Sequence, residues 1–148
     1  MEKREGTLND LFLDIFNQVL TLEQKMFEQD ATYQDISMTE THVLEAIRKC
    51  DPPTMGSIAA KLRVTPGTLT SSVNKLFEKE YVDRHRNEKD RRIVTLSLTE
   101  KGEAVFQLHE SFHRELIEAA TQDLENRDEL EKALRSVHGF FEKLNKKY

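Results

Sequence analysis

The sequence predicts a mainly α fold with a small β wing: a winged helix-turn-helix lobe held between N- and C-terminal helices that pair two copies of the chain. Three observations predict it. Apolar residues recur at three- and four-residue spacing in separate stretches from Leu8 to Leu144. A polar-faced helix beginning at Pro66 is followed directly by two runs of strand type, Tyr81-Val82 and Ile93 to Leu98. The turn joining those runs carries Arg84, Arg86, Lys89, Arg91 and Arg92, five cations within nine residues.

The elements follow in order. Leu8, Leu11, Phe12, Ile15, Phe16, Val19, Leu22 and Met26 define an amphipathic helix of about five or six turns. Ser37-Met38-Thr39-Glu40 has the form of a capping box and opens a second helix running to about Lys49. Asp51-Pro52-Pro53 breaks the chain, and Thr54 caps a short helix carrying Ile58, Ala59 and Leu62. Arg63-Val64-Thr65 is the turn. Thr65 is the N-cap of the next helix and Pro66 its first residue, with Leu69, Val73, Leu76 and Phe77 as the buried stripe. The hairpin tip is centred on Asn87 to Asp90. Thr99 caps a long helix with Val105, Phe106, Leu108, Phe112, Leu116 and Ile117, and Asn126-Arg127-Asp128 breaks it. The last helix spaces Leu130, Leu134, Val137, Phe141 and Leu144 by 4, 3, 4 and 3, a coiled-coil-like seam. Residues 1–148 are read as a single chain unit, with 37–98 as the DNA-binding lobe and 7–30 and 99–146 as dimerisation helices.

Composition narrows the classes. No apolar run approaches the roughly 18 residues of a membrane span, and no signal-peptide core follows the N-terminal charges. With Cys50 the only cysteine, no internal disulfide can form. A reduced, cytoplasmic location is the expectation. The net charge of −5 is unevenly spread: Lys61 to Arg92 holds nine Lys/Arg and five Asp/Glu, a local +4, and leaves −9 for the remainder. A local basic patch, more than the total charge, governs nucleic-acid binding. There is no Gly-rich phosphate loop and no nucleophile motif, so neither an enzyme nor a cofactor is expected.

On the helix from Pro66, the face opposite the stripe carries Gly67, Thr68, Ser71, Asn74 and Lys75, with Ser72 alongside and Thr65 at its start. Small hydroxyl residues permit close approach to base edges; Asn74 can bridge an adenine, and Lys75 can reach a guanine or a phosphate. Alone, such a face is as readily a solvated helix surface. The adjacent wing favours DNA contact by Arg84, Arg86, Lys89, Arg91 and Arg92. Asp90 is expected to hold a neighbouring arginine by a bidentate pair.

Across essentially its whole length the sequence resembles the MarR family of dimeric winged-helix regulators. Asp90-Arg91-Arg92 and Leu96-Ser97-Leu98-Thr99-Glu100-Lys101-Gly102 resemble the family's wing and following helix start. The resemblance implies that Ser71, Ser72, Asn74 and Lys75 lie in the major groove and the wing arginines at the minor groove or its phosphates. Glu78-Lys79-Glu80-Tyr81 departs from the pattern, because relatives usually carry a glycine before the aromatic residue. A nearer resemblance is to the family's fatty-acid-synthesis repressors of Firmicutes, through Ile15 to Leu20, Ile36 to His42, Gly67 to Ser72 and Leu108 to His113. It implies a homodimeric repressor of lipid-synthesis genes, with operator DNA as partner and long-chain acyl carrier protein as corepressor. The effector pocket is then expected from Phe16, His42, Phe106, His109, Phe112 and His113.

His109 and His113, four residues apart, share a helix face. With His42, and with Glu23 or another acid of the first helix, they form the alternative reading, a tetrahedral zinc site in a zinc-responsive member of the same family. The plainer reading is a hydrogen-bonded polar cluster lining an effector cavity, with no metal. A second alternative is a helical interaction protein that binds no DNA; salt-dependent DNA binding separates the two.

Overall fold

A computed structural model describes residues 2–148, with side chains from residue 6 onward. Six helices and a two-stranded hairpin run in the order α1 (Glu2–Gln29), α2 (Met38–Lys49), α3 (Met55–Leu62), α4 (Pro66–Glu78), β1 (Val82–Arg86), β2 (Val94–Leu98), α5 (Glu100–Thr121) and α6 (Arg127–Asn145). A short 3-10 turn, Ala31–Tyr33, links α1 to α2. The chain divides into two compact units, residues 1–109 and 110–148.

The first unit is organised by its caps. Ser37 and Glu40 close a reciprocal capping box at α2, and Thr54 and Ser57 do the same at α3. Each box satisfies two backbone donors that a helix start otherwise leaves open. Thr65 caps α4 through the Thr68 amide at 3.2 Å, with Pro66 in the first turn. Helices α2, α3 and α4 then bury Val43, Leu44, Ala46, Ile47, Ile58, Ala59, Leu69, Val73 and Leu76 around one core, closed by Tyr81, Val82, Leu96 and Val105.

Two helix ends use left-handed residues that are not glycine: Arg63 (φ 55°) after α3 and Glu80 (φ 64°) after α4. At both, crossed bonds tie the exit back to the helix: Val64 N–H to Ala59 O at 3.1 Å, and Tyr81 N–H to Leu76 O at 2.9 Å. This is the Schellman pattern, in which glycine is the usual occupant. The turn flagged at Glu80 is therefore as tight as a glycine would make it.

The wing pairs Val82 with Leu98 through Arg86 with Val94, antiparallel. Its base is fixed from two sides. The Leu96 amide donates to Pro53 O at 2.9 Å, and the Thr99 amide donates to Tyr81 O at 3.0 Å. Thr99 also caps α5, its hydroxyl accepting from the Gly102 amide at 3.1 Å. Gly102 is required at that point, since a Cβ there would collide with the Tyr81 carbonyl.

In the second unit the break precedes its expected position. Asn126 is the N-cap of α6, and Arg127 and Asp128 already belong to the helix. Arg127 donates twice to Glu118, at 2.8 and 3.0 Å, across that break. Leu130, Leu134, Val137, Phe141 and Leu144 are all exposed along α6, as are Leu8, Leu11, Phe12, Ile15 and Phe16 along α1.

Candidate functional site

Helix α4 buries Leu69, Val73 and Leu76 and leaves Thr68, Ser71, Asn74 and Lys75 exposed. Ser72 is half-buried, because it borders a cavity of about 170 Å³ shared with Val43, Leu62, Val64 and Leu69. Thr65 serves the helix first, its hydroxyl engaged by the Thr68 amide and, at 2.9 Å, the Thr68 hydroxyl. Phe77 does not join the buried stripe. It is 46% exposed, with the Arg84 guanidinium 4.8 Å above its ring. Leu76 already occupies the core-facing direction, and the next residue on a helix is turned about 100° away.

Strand alternation divides the wing. Val82, Arg84 and Arg86 project to one side, opposite Leu98, Leu96 and Val94, while Asp83 and His85 project to the other. His85 bonds Ser97 Oγ at 2.8 Å on that second side. Arg84 donates to Asn74 Oδ1 on α4. At the tip, Asn87 Oδ1 accepts from the Lys89 and Asp90 amides at 2.8 and 3.2 Å. Asp90 holds Arg92 by a bidentate pair, with Nε at 3.1 Å and Nη2 at 3.4 Å. Arg86, Lys89 and Arg91 are exposed. The pairing also lowers the Asp90 pKa, chiefly through the Arg92 side chain. A carboxylate and a backbone turn thus order a cationic tip beside a helix with a small, polar outer face.

A second cluster lies inside the first unit. His109 is fully buried, with Nδ1 2.5 Å from Glu45 and Nε2 2.5 Å from Glu23. His42 Nε2 lies 3.3 Å from the same Glu23 oxygen. Burial alone lowers the His109 pKa, but the hydrogen bonds to Glu45 and Glu23 outweigh it and hold the imidazole above its ordinary range. Burial likewise raises both carboxyls, and the His109 bonds outweigh that, leaving Glu45 and Glu23 below the usual carboxylate range. A carboxylate oxygen on each ring nitrogen favours the doubly protonated form of the imidazole. Phe27 meets the His109 ring edge-on at 6.0 Å.

Phe106 is buried beneath the Arg48 guanidinium at 5.7 Å, whereas Phe16 is exposed on α1. Phe112 and His113, half-buried in the second unit, stack edge-on at 5.3 Å. Glu45 was missing from the sequence-based site. Its one signal is an acid between Leu44 and Ala46-Ile47, in a helix stretch otherwise entirely apolar. No described helix is long and apolar enough to cross a membrane.

Comparisons with known proteins agree with this architecture. The family model of the SarA/Rot transcriptional regulators matches residues 25–108. The crystal structure of Streptococcus pneumoniae FabT in complex with DNA superposes with a TM-score of 0.85 at 34% identity, covering 94% of this chain and 98% of that one. The HTH-type transcriptional regulator PchR of Bacillus subtilis is 28% identical over 146 residues, 90% of this chain and 85% of the relative. A MarR family protein from Bacillus stearothermophilus shares the fold, with a TM-score of 0.77 at 18% identity over 95% of this chain and 97% of that one. The chain belongs to the SarA/Rot and MarR-type family of winged-helix regulators, non-enzymatic proteins that bind DNA to control transcription.

Proposed function

We propose that the protein is a homodimeric repressor of fatty-acid biosynthesis genes, with long-chain acyl carrier protein as its corepressor. The likeness to FabT bound to DNA, which extends over nearly the whole chain, carries this reading. Helix α4 enters the major groove with Thr68, Ser71, Ser72, Asn74 and Lys75, and Thr65 stands at its mouth. Arg86, Lys89, Arg91 and Arg92 serve the wing contact. Exposed apolar stripes on α1 and on α6 support a homodimer, since a monomer leaves each facing water. A dimer sets two copies of α4 on half-sites about one helical turn apart. The acyl chain lies along α1, α2 and α5, where Phe16 and His42 are exposed or half-buried. Operator binding measured with and without long-chain acyl carrier protein tests the reading. Tighter binding with the loaded carrier is expected, and no response removes the corepressor.

One observation favours a zinc-responsive reading as the second choice. The Nε2 atoms of His42 and His109 converge on one oxygen of Glu23, and Glu45 grips the other His109 nitrogen as outer carboxylates do at metal sites. Zinc that alters operator affinity at submicromolar concentration, with the effect lost in His109→Ala and no response to acyl carrier protein, would select this reading.

A further inference from the structure

We propose that Arg84 is not a DNA contact but a positioning residue that fixes the amide of Asn74 as a hydrogen-bond donor, so that this position reads guanine and not adenine. The inference rests on the proposed entry of α4 into the major groove.

Three observations carry it. Arg84 stands opposite Leu96 in the hairpin, and Leu96 is buried in the core, so the Arg84 stem leaves the strand on the side facing the helices. Its guanidinium lies 4.8 Å over the Phe77 ring, and Nη2 donates to Asn74 Oδ1. Asn74 and Phe77 are three residues apart on α4 and so are neighbours on its surface. The exposed Phe77 ring is thus the floor of a clamp, the guanidinium its jaw and the Asn74 amide what it grips.

The chemistry then fixes the reading. A guanidinium has donors and no acceptor, so the atom facing it is the amide oxygen. The two Nδ2 hydrogens are thereby turned away from the wing. Adenine presents an N7 acceptor and an N6 donor, and a bidentate asparagine meets that donor with its oxygen, which here already accepts from the guanidinium and keeps only its second lone pair. Guanine presents N7 and O6, both acceptors, which suits an amide whose oxygen is turned to the guanidinium and whose two hydrogens point away from it. The adenine contact expected of Asn74 from its residue type alone is replaced.

Selection from a randomised double-stranded oligonucleotide library tests this, using the full-length chain, Asn74→Ala and Arg84→Met. The methionine retains an unbranched apolar stem and removes every donor. The wild type is expected to select guanine at one position in each half-site, and Asn74→Ala to lose preference at that position alone. Arg84→Met is expected to move the preference there to adenine, with the thermal midpoint and the salt slope of binding unchanged. If Arg84→Met instead weakens all sequences alike and reduces the salt slope by about one, Arg84 is a phosphate contact and the inference is overturned. It is equally overturned if the base that depends on Asn74 is adenine in the wild type, or if Arg84→Met leaves the preference at guanine; α4 still reads the groove in both cases. A selection profile of Asn74→Ala identical to the wild type removes the groove reading itself.

Discussion

Glu23 on α1 and His109 on α5 are 86 residues apart in sequence and 2.5 Å apart in space. With Glu45 they form a buried cation between two carboxylates that ties three helices of the first unit together. His109→Ala would leave both carboxylates without their central charge. We expect a loss of stability of about 3–5 kcal/mol, read by urea unfolding in the presence of a chelator. A loss below about 1 kcal/mol would show that the triad is already open in solution.

The same triad sets a pH window. The His109 pKa is raised, so its contribution is complete below the ordinary histidine value of 6.5 and is lost as pH rises through the folded value. The Glu23 and Glu45 pKa values are lowered, so their contribution is complete above 4.5 and is lost as pH falls through their folded values. Stability should therefore be greatest between about pH 5 and 6 and decline on either side. His109→Gln should flatten the alkaline limb. A wild-type profile still rising from pH 6 to pH 8 would contradict this assignment.

Glu80 occupies the left-handed region at φ 64°, where a side chain costs about 1–2 kcal/mol and glycine is nearly free. Part of that gain is offset by the greater freedom of glycine in the unfolded chain. Glu80→Gly should stabilise by about 0.5–1 kcal/mol, raising the thermal midpoint by roughly 1–4 °C. Gly102→Ala should destabilise markedly, because the added Cβ meets backbone at the Tyr81 carbonyl. Calorimetry on the pair gives shifts of opposite sign if both assignments hold.

Much of the first unit was legible because its signals are local. Ser37 with Glu40, Thr54, and Thr65 before Pro66 announce helix starts within four residues, and the structure has all of them. Asp90 as the holder of a neighbouring arginine was legible for the same reason; Arg92 is that arginine. The exposed face of α4 follows from helical spacing. Phe77 was misread because spacing cannot tell two adjacent apolar residues apart when only one direction faces the core. Arg84 then reaches the exposed Phe77 ring from another element. Glu45 was missed because its partner His109 is 64 residues away, and no local pattern marks it. The break before α6 was placed late because Asn126 caps the helix that Arg127 and Asp128 begin.

Among the wing residues, Arg91→Ala should weaken operator binding by about 1–3 kcal/mol if it makes a specific contact, and reduce the salt slope by about one if that contact is to phosphate. Asp90→Ala should act through Arg92, weakening binding without changing the melting temperature, since the pair is exposed. Fluorescence anisotropy across a salt series measures both. Unchanged affinity in both variants would detach the wing from DNA.

A charge placed in either apolar stripe should separate the proposed dimer. Phe12→Glu on α1 and Val137→Glu on α6 should each give a monomer by sedimentation velocity at micromolar concentration, where the wild type sediments as a dimer. A wild-type monomer at that concentration would contradict the assembly.

The wing tip closes on itself: Asn87 secures the Lys89 and Asp90 amides, and Asp90 secures Arg92 through its backbone and its guanidinium. Immobilising a rotamer-rich side chain at an interface costs about 0.5–1.5 kcal/mol. Here part of that freedom is surrendered when the chain folds, before any encounter. If the wing meets DNA, its backbone should dock as a preformed turn. The heat-capacity change of that docking should reflect buried surface alone, without the added signature of a segment folding on contact. Its association rate should follow diffusion and ionic steering, with no slow ordering step behind them.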